Sequence, residues 1–253
     1  MLYLDYLAYN NALKHVSIAE KMLLGCGGLV LSLVMPRPIT LLSIIIIMHI
    51  VMLYARIPPG YLARLWLAPL LFLLVSLITV VFSASLTSFS AIYSYKIVGY
   101  YVGATGQGLE MAQQLLLRSL AAVSCLFMIA TTTPVVYIVA YLSRISGLRI
   151  VMEIMLLTYR FIFVFLATAG QIYTAQQSRL GYAGPRRSLN AISMLAANLG
   201  RKSFMTARDL YTALLARNYC DRLVLRYPRQ QVKAGRLLVI LALLVGIALT
   251  AYF

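Results

Sequence analysis

The sequence predicts an all-α integral membrane protein with about five transmembrane helices and a set of amphipathic cytoplasmic helices. Three observations carry that prediction. The 253-residue chain is 62% hydrophobic, with a mean hydropathy of +0.88, and only 11% of its residues are charged. Ordinary soluble domains carry roughly a quarter charged residues. Several apolar runs approach the ~20 residues a helix needs to cross the hydrocarbon core. Positive charge is also clustered: residues 144–236 hold 15 of the 22 Lys and Arg but only 3 of the 6 acidic residues, so +12 of the net +16 lies there. Lys and Arg beside apolar spans mark a cytoplasmic face, and attraction to anionic lipid is a second ordinary reason for them.

The elements follow in order. Residues 1–21 are mixed and carry Asp5, Lys14, Glu20 and Lys21. Ser17 and Glu20 have capping-box spacing. This predicts a helix start that lets the short apolar run 22–35 reach bilayer thickness. Pro36-Arg37-Pro38 then breaks the chain, and 39–55 is a second apolar helix, so the two form a tight hairpin. Arg56, Pro58-Pro59-Gly60 and Arg64 mark a loop before a span at 65–86. A Ser-, Tyr- and Gly-rich loop at 87–110 carries Lys96 and Glu110. Residues 119–142 form the next span, bent near Pro134, with Arg144 and Arg149 after it.

Residues 151–175 are long enough to span but contain Glu153, Arg160 and Gln171. A charge at the bilayer centre costs on the order of 2.5–3.5 kcal/mol on insertion scales. Loop charges arbitrate. If 151–175 spans and the basic block is inside, the Arg144/Arg149 and Arg56/Arg64 loops fall outside, against the positive-inside rule. If 151–175 lies on or under the membrane, both loops and the N-terminus are cytoplasmic. The expected organisation is therefore 1–143 with four spans, 144–236 as a cytoplasmic helical platform, and 237–253 as a final span. Within the platform, Gly184-Pro185 signals a helix start. A helix over 188–199 is expected to stop at Gly200. Ser203 is expected to open another over 204–218, where Phe204, Ala207, Tyr211, Leu214 and Leu215 share one face.

Several chemistries are excluded by what the chain lacks. There is no phosphate-binding loop of the Gly-x-x-x-x-Gly-Lys type; Gly103 to Gly108 has no following lysine and is expected to be a flexible outer loop. His15 and His49 stand without a convergent set of ligands. Cys26, Cys125 and Cys220 are far apart and form no C-x-x-C. Paired carboxylates and a Gly-x-Ser-x-Gly elbow are missing, so no enzyme activity is expected. No stacking-aromatic pattern accompanies the basic block, so neither is nucleic-acid binding. No small-residue cleavage site follows the first apolar run, so no cleaved leader is expected.

What remains are two arginines near expected helix ends. Arg217 follows Ala216 and precedes Asn218, a residue suited to a left-handed helix stop. Arg179 lies between Ser178 and Leu180, with Gly181 next. A small residue before the arginine lets a partner surface come close, and a guanidinium can capture a carboxylate in bidentate fashion. Two such ends suit two docking points on a two-lobed partner.

The N-terminal run Leu4-Asp5, Ala8-Tyr9, Leu13-Lys14-His15-Val16-Ser17 and Glu20-Lys21 resembles the start of CbiQ-type proteins. These are the transmembrane (T) components of energy-coupling-factor (ECF) importers for cobalt or nickel. Ser178-Arg179-Leu180 and Ala216-Arg217-Asn218 occupy the places of that family's Ala-Arg-Gly-like motifs, at the ends of its coupling helices. The tract from Arg179 through Tyr182 to Arg186-Arg187 is similar too. Leu180 and Asn218 depart from the usual glycine, and Ser178 from alanine. The resemblance implies a coupling subunit without a cofactor or metal of its own. Two copies of a cytoplasmic ABC-type ATPase would bind ATP and Mg. A separate integral-membrane substrate-binding (S) subunit, with room for a small accessory membrane subunit, would hold the metal. The location implied is a prokaryotic cytoplasmic (inner) membrane. Two alternatives stay open: a T component serving a vitamin, and a membrane scaffold whose basic platform binds anionic lipid.

Overall fold

A computed structural model describes residues 3–35, 37–85, 93–97, 100–104, 106–218 and 232–250. In chain order the elements are α1 (Tyr3–Tyr9), a 3-10 turn (Ala12–His15), α2 (Ile18–Val34), α3 (Pro38–Tyr54), α4 (Pro59–Val81), β1 (Phe82–Ser85), β2 (Tyr93–Ile97), β3 (Tyr100–Ala104), α5 (Gly106–Thr132), α6 (Val135–Leu142), a second 3-10 turn (Ser146–Leu148), α7 (Arg149–Ser178), α8 (Pro185–Ala216) and α9 (Ala234–Leu249). The framework is the predicted all-α one, with one small sheet added. Contacts divide the chain into two compact units, Leu2–Val135 with Arg229–Phe253, and Val136–Pro228.

In the first unit α5 is the central packing element, in contact with α1, α2, α3 and α4, and its most extensive interface is with α3. Leu41, Ile44, Met48 and Met52 recur every three or four residues and therefore share a face. That face is buried against Ala121, Cys125 and Met128 of α5, in a cluster that also takes in Leu7, Leu24, Leu62 and Ile247. Small residues on α2 permit this close approach: a Cβ added at Gly28 would lie 2.6 Å from Met48 Cε and 3.1 Å from Cys125 Sγ. The outward residues, among them Ile46, Ile50, Leu71 and Phe72, are large, apolar and exposed. Exposed apolar side chains of this size fit a lipid solvent. Among the described residues three helices are long and apolar enough to cross a membrane, Pro59–Val81, Gly108–Thr132 and Arg149–Ser178, and Pro38–Tyr54 and Ala234–Leu249 are shorter apolar helices.

Several sequence expectations are corrected here. The third long helix begins at Pro59, because Pro58 and Pro59 open the helix instead of merely preceding it: the Pro58 carbonyl accepts the N–H of Leu62 at 3.1 Å. The expected 87–110 loop contains two strands that, with β1, form an antiparallel sheet in the order β1-β3-β2. The alternation in Tyr93-Ser94-Tyr95-Lys96-Ile97 is a strand pattern that turn-rich composition masked; residues 86–92, 98–99 and 105 lie outside the described ones. Gly103 is in β3, and Gly106 and Gly108 open α5, so those glycines are not one outer loop. The span expected at 119–142 starts much earlier, at Gly106, while the bend expected near Pro134 is found there as a break between α5 and α6. Pro134 has no N–H and disfavours helix at the preceding Thr133.

Ser17 is the N-cap of α2 as expected, but the capping box does not form, since Ser17 makes no side-chain cap bond. Glu20 turns instead to the start of α9, where its Oε1 accepts the N–H of Lys233 at 3.0 Å. The C-terminal carbonyl of α5 is satisfied from a distant part of the chain. Thr132 C=O accepts Lys21 Nζ at 2.9 Å and Asn11 Nδ2 at 3.0 Å. A cation at a helix C-terminus is favoured by the exposed carbonyls and the helix dipole.

In the second unit α7 and α8 pack on each other. Pro185 sits in the first turn of α8 behind Gly184, whose φ of 119° is closed to other residues. The two helices expected at 188–199 and 204–218 are one continuous helix. Gly200 and Ser203 are interior to it. A glycine costs a helix about 1 kcal/mol but does not end it. An end needs a left-handed residue and recaptured carbonyls, and neither occurs at Gly200.

Candidate functional site

The two predicted arginines occupy equivalent places. Arg179 is the C-cap of α7 (φ −97°, ψ 16°) and Arg217 the C-cap of α8 (φ −96°, ψ 17°). Each is followed by a non-glycine residue in the left-handed region, Leu180 at φ 57° and Asn218 at φ 55°. Ser178 and Ala216 are the last helical residues of the two helices. All six residues are exposed. Among the described residues no ion pair holds either guanidinium. The structure thus places all six in two matching helix ends. It does not gather them into one pocket: α8 rises about 48 Å over its 32 residues, with Arg179 beside its start and Arg217 at its end.

The hydrogen bonds show how such an end is made. Leu180 N–H donates to Gln177 C=O at 3.0 Å, and Gly181 N–H to Gln176 C=O at 2.9 Å. These are the two bonds of a Schellman stop. Gly181 fits where a side chain would not, since its Cβ would lie 2.9 Å from the Gln176 oxygen. At the α8 end, Asn218 N–H donates to Leu215 C=O at 3.0 Å. Leucine in this conformation carries a strain of roughly 1–2 kcal/mol, which asparagine largely escapes. Leu180 is nonetheless 69% exposed and so gains no burial in return. Strain of this sort is characteristic of functional positions.

Sequence reasoning missed the brace behind Arg179. Gln176 Nε2 donates to Ala191 C=O on α8 at 3.0 Å, and Gln176 Oε1 accepts the Tyr182 hydroxyl at 2.8 Å. The Tyr182 ring lies 4.7 Å from that of Tyr173. These contacts tie the end of α7 to the first turns of α8, so Arg179 projects from a fixed base. The adjacent Gly181 was the one sequence signal that could have pointed there. A third stop of the same kind ends α3, but there Arg56 itself takes the left-handed position (φ 60°).

His49 has a structural role. His49 Nδ1 lies 2.8 Å from Ile45 C=O, and its ring stacks on Trp66 at 5.5 Å. Among the described residues no group of three or more His, Cys, Asp or Glu could hold a metal.

Long apolar helices that expose large hydrophobic side chains define an integral membrane protein. The comparisons make the assignment specific: the family described as CbiQ, cobalt transport protein, matches residues 10–224, a range that includes both arginine ends. The chain belongs to that family. It is 32% identical to the cobalt transport protein CbiQ of Rhodobacter capsulatus over 217 residues, 85% of this chain and 84% of that one. It is 30% identical to the CbiQ of Salmonella typhimurium, over 83% of this chain and 94% of that one. A putative fused cobalt transport protein CbiMQ of Methanocorpusculum labreanum is 26% identical over 85% of this chain, which covers 36% of the longer protein. The chain is therefore a membrane component of cobalt transport.

Proposed function

We propose that this chain is the coupling subunit of an ATP-driven importer of the ECF type. It passes the conformational change of two cytoplasmic ABC-type ATPase subunits to a separate membrane subunit that holds the cobalt. One observation carries this reading: two exposed arginines stand at nearly identical helix ends, each on a stop that fixes its direction. A rigid helix bearing a bidentate cation at its tip can seat in an acidic or carbonyl-lined groove and transmit displacement along its axis. ATP, Mg and cobalt are held by the partners.

On this reading α7 and α8 lie outside the hydrocarbon. Although α7 is apolar enough to cross, its C-terminal end is latched to α8. That partner helix carries Arg186, Arg187, Arg201, Lys202, Arg208 and Asp209, too many charges for a lipid-facing helix. The first unit supports a cytoplasmic N-terminus. The end of its bundle that gathers the starts of α2, α4 and α9 carries Lys14, Lys21, Arg56, Arg64, Lys233 and Arg236, and the opposite end of α2 and α3 carries Arg37.

The test is the double variant Arg179→Glu with Arg217→Glu in native membranes. Loss of a buried, hydrogen-bonded charge pair at an interface costs about 2–5 kcal/mol, so the ATPases should no longer co-purify and ATP-driven cobalt uptake should fall by more than about tenfold. Normal uptake with an intact complex would refute the role.

A further inference from the structure

We propose that the first unit holds one phospholipid with a primary-amine headgroup in a cavity centred on Glu20. The inference is independent of the coupling role. Glu20 is 1% exposed, the most deeply buried charged side chain among the described residues. Its Oε1 accepts the Lys233 N–H, while Oε2 is buried with no hydrogen-bond partner. A buried, unpaired carboxylate oxygen is costly by several kcal/mol. Its cationic neighbour in sequence cannot relieve it, because Lys21 Nζ is committed to the Thr132 carbonyl.

Glu20 does face space. It lines a cavity of about 460 Å³ together with His15, Tyr54, Arg236 and Val239. It also lines an adjoining cavity of about 280 Å³ walled by Leu24, Ile50, Val51 and Met128, and the two share Leu13, Val16, Tyr54 and Ile240. These sizes suit a headgroup and the first part of an acyl chain.

The chemistry of the walls selects the occupant. Glu20 offers an anionic acceptor inside, Arg236 and His15 offer donors for an anion, and the second cavity is almost wholly apolar. An aminophospholipid carries all three groups, a phosphate with an ammonium on one side of it and hydrocarbon chains on the other. Position agrees as well. The cavity lies at the end of these apolar helices, where α2 and α9 begin and α3 ends, and the flanking Ile50, Leu53, Leu238 and Val239 are exposed. A choline headgroup has no N–H to give Oε2, and a glycerol headgroup has no cation.

The experiment is native mass spectrometry of the full chain. The protein is delipidated in detergent and offered phosphatidylethanolamine, phosphatidylcholine or phosphatidylglycerol. One charge-assisted hydrogen bond separates the first from the second, so one ethanolamine lipid should be retained about tenfold more strongly than choline lipid. Glu20→Gln keeps an oxygen for the Lys233 N–H and should abolish that preference. Arg236→Ala should weaken both zwitterionic lipids alike. Val239→Trp, at an exposed site on the cavity rim, should block retention without disturbing the core, and it decides the matter if Glu20→Gln does not fold. Equal retention of ethanolamine and choline lipids, or an unchanged preference in Glu20→Gln with retention in Val239→Trp, overturns the proposal.

Discussion

Leu180 shows how much can rest on one backbone torsion. The helix stop at the end of α7 requires a left-handed residue, and the chain supplies a leucine that is exposed and strained. Leu180→Gly should relieve that strain and raise stability by about 1 kcal/mol, measured as the shift in denaturant midpoint of the second unit's helical signal. Asn218→Gly should give much less, since asparagine tolerates the conformation. Under the proposed coupling role, a Leu180 that touches the ATPase would make Leu180→Gly more stable yet weaker in partner binding; greater stability with undiminished binding would deny it that contact. Arg179 and Arg217 were legible because their signals are local: a small residue before, a helix-stopping residue after. Gln176 was not, because its partner on α8 is 15 residues away.

At the scale of elements, periodicity located the helices well and their ends less well. The three- and four-residue steps of Leu41, Ile44 and Met48 reflect burial directly. The continuity of α8 through Gly200 does not show in the sequence, where glycine reads both as a stop and as a weak helix residue. The distinction rests on whether the following N–H groups turn back to capture carbonyls, and at Gly200 they do not. Gly200→Ala should therefore stabilise α8 by roughly 1 kcal/mol, since no atom lies within 4 Å of the added methyl. A loss of helicity in Gly200→Ala would show that a stop exists there after all. The sheet was missed for a related reason: Ser, Tyr and Gly signal turns, while the pairing of β3 with both β1 and β2 is a property of three segments together. Within α7, Arg149 lies 3.7 Å from Glu153 across one helical turn, so the acid that made this segment ambiguous is partly offset from its own helix.

For the whole molecule the controlling feature is the distribution of charge. If the basic end of the first unit is cytoplasmic, a cysteine at Arg56 should react with an impermeant maleimide only after the cells are opened. One at Lys96 should react in intact cells. The background should have Cys26, Cys125 and Cys220 replaced by alanine. Reversed labelling would invert the topology proposed for the first unit.

The sequence by itself determined the membrane class, the approximate number and order of apolar helices, and the two arginine-bearing ends. Each follows from composition, from a repeat of three or four residues, or from neighbours within one turn. Only the tertiary structure decided where Glu20, Lys21 and Asn11 spend their polar groups. Glu20 meets Lys233 across 213 positions, and Lys21 and Asn11 meet the Thr132 carbonyl across 111 and 121. Local preference cannot encode such pairings. They form because packing α2, α5 and α9 buries their polar ends together, where each unpaired donor or acceptor would carry the full cost of lost solvation.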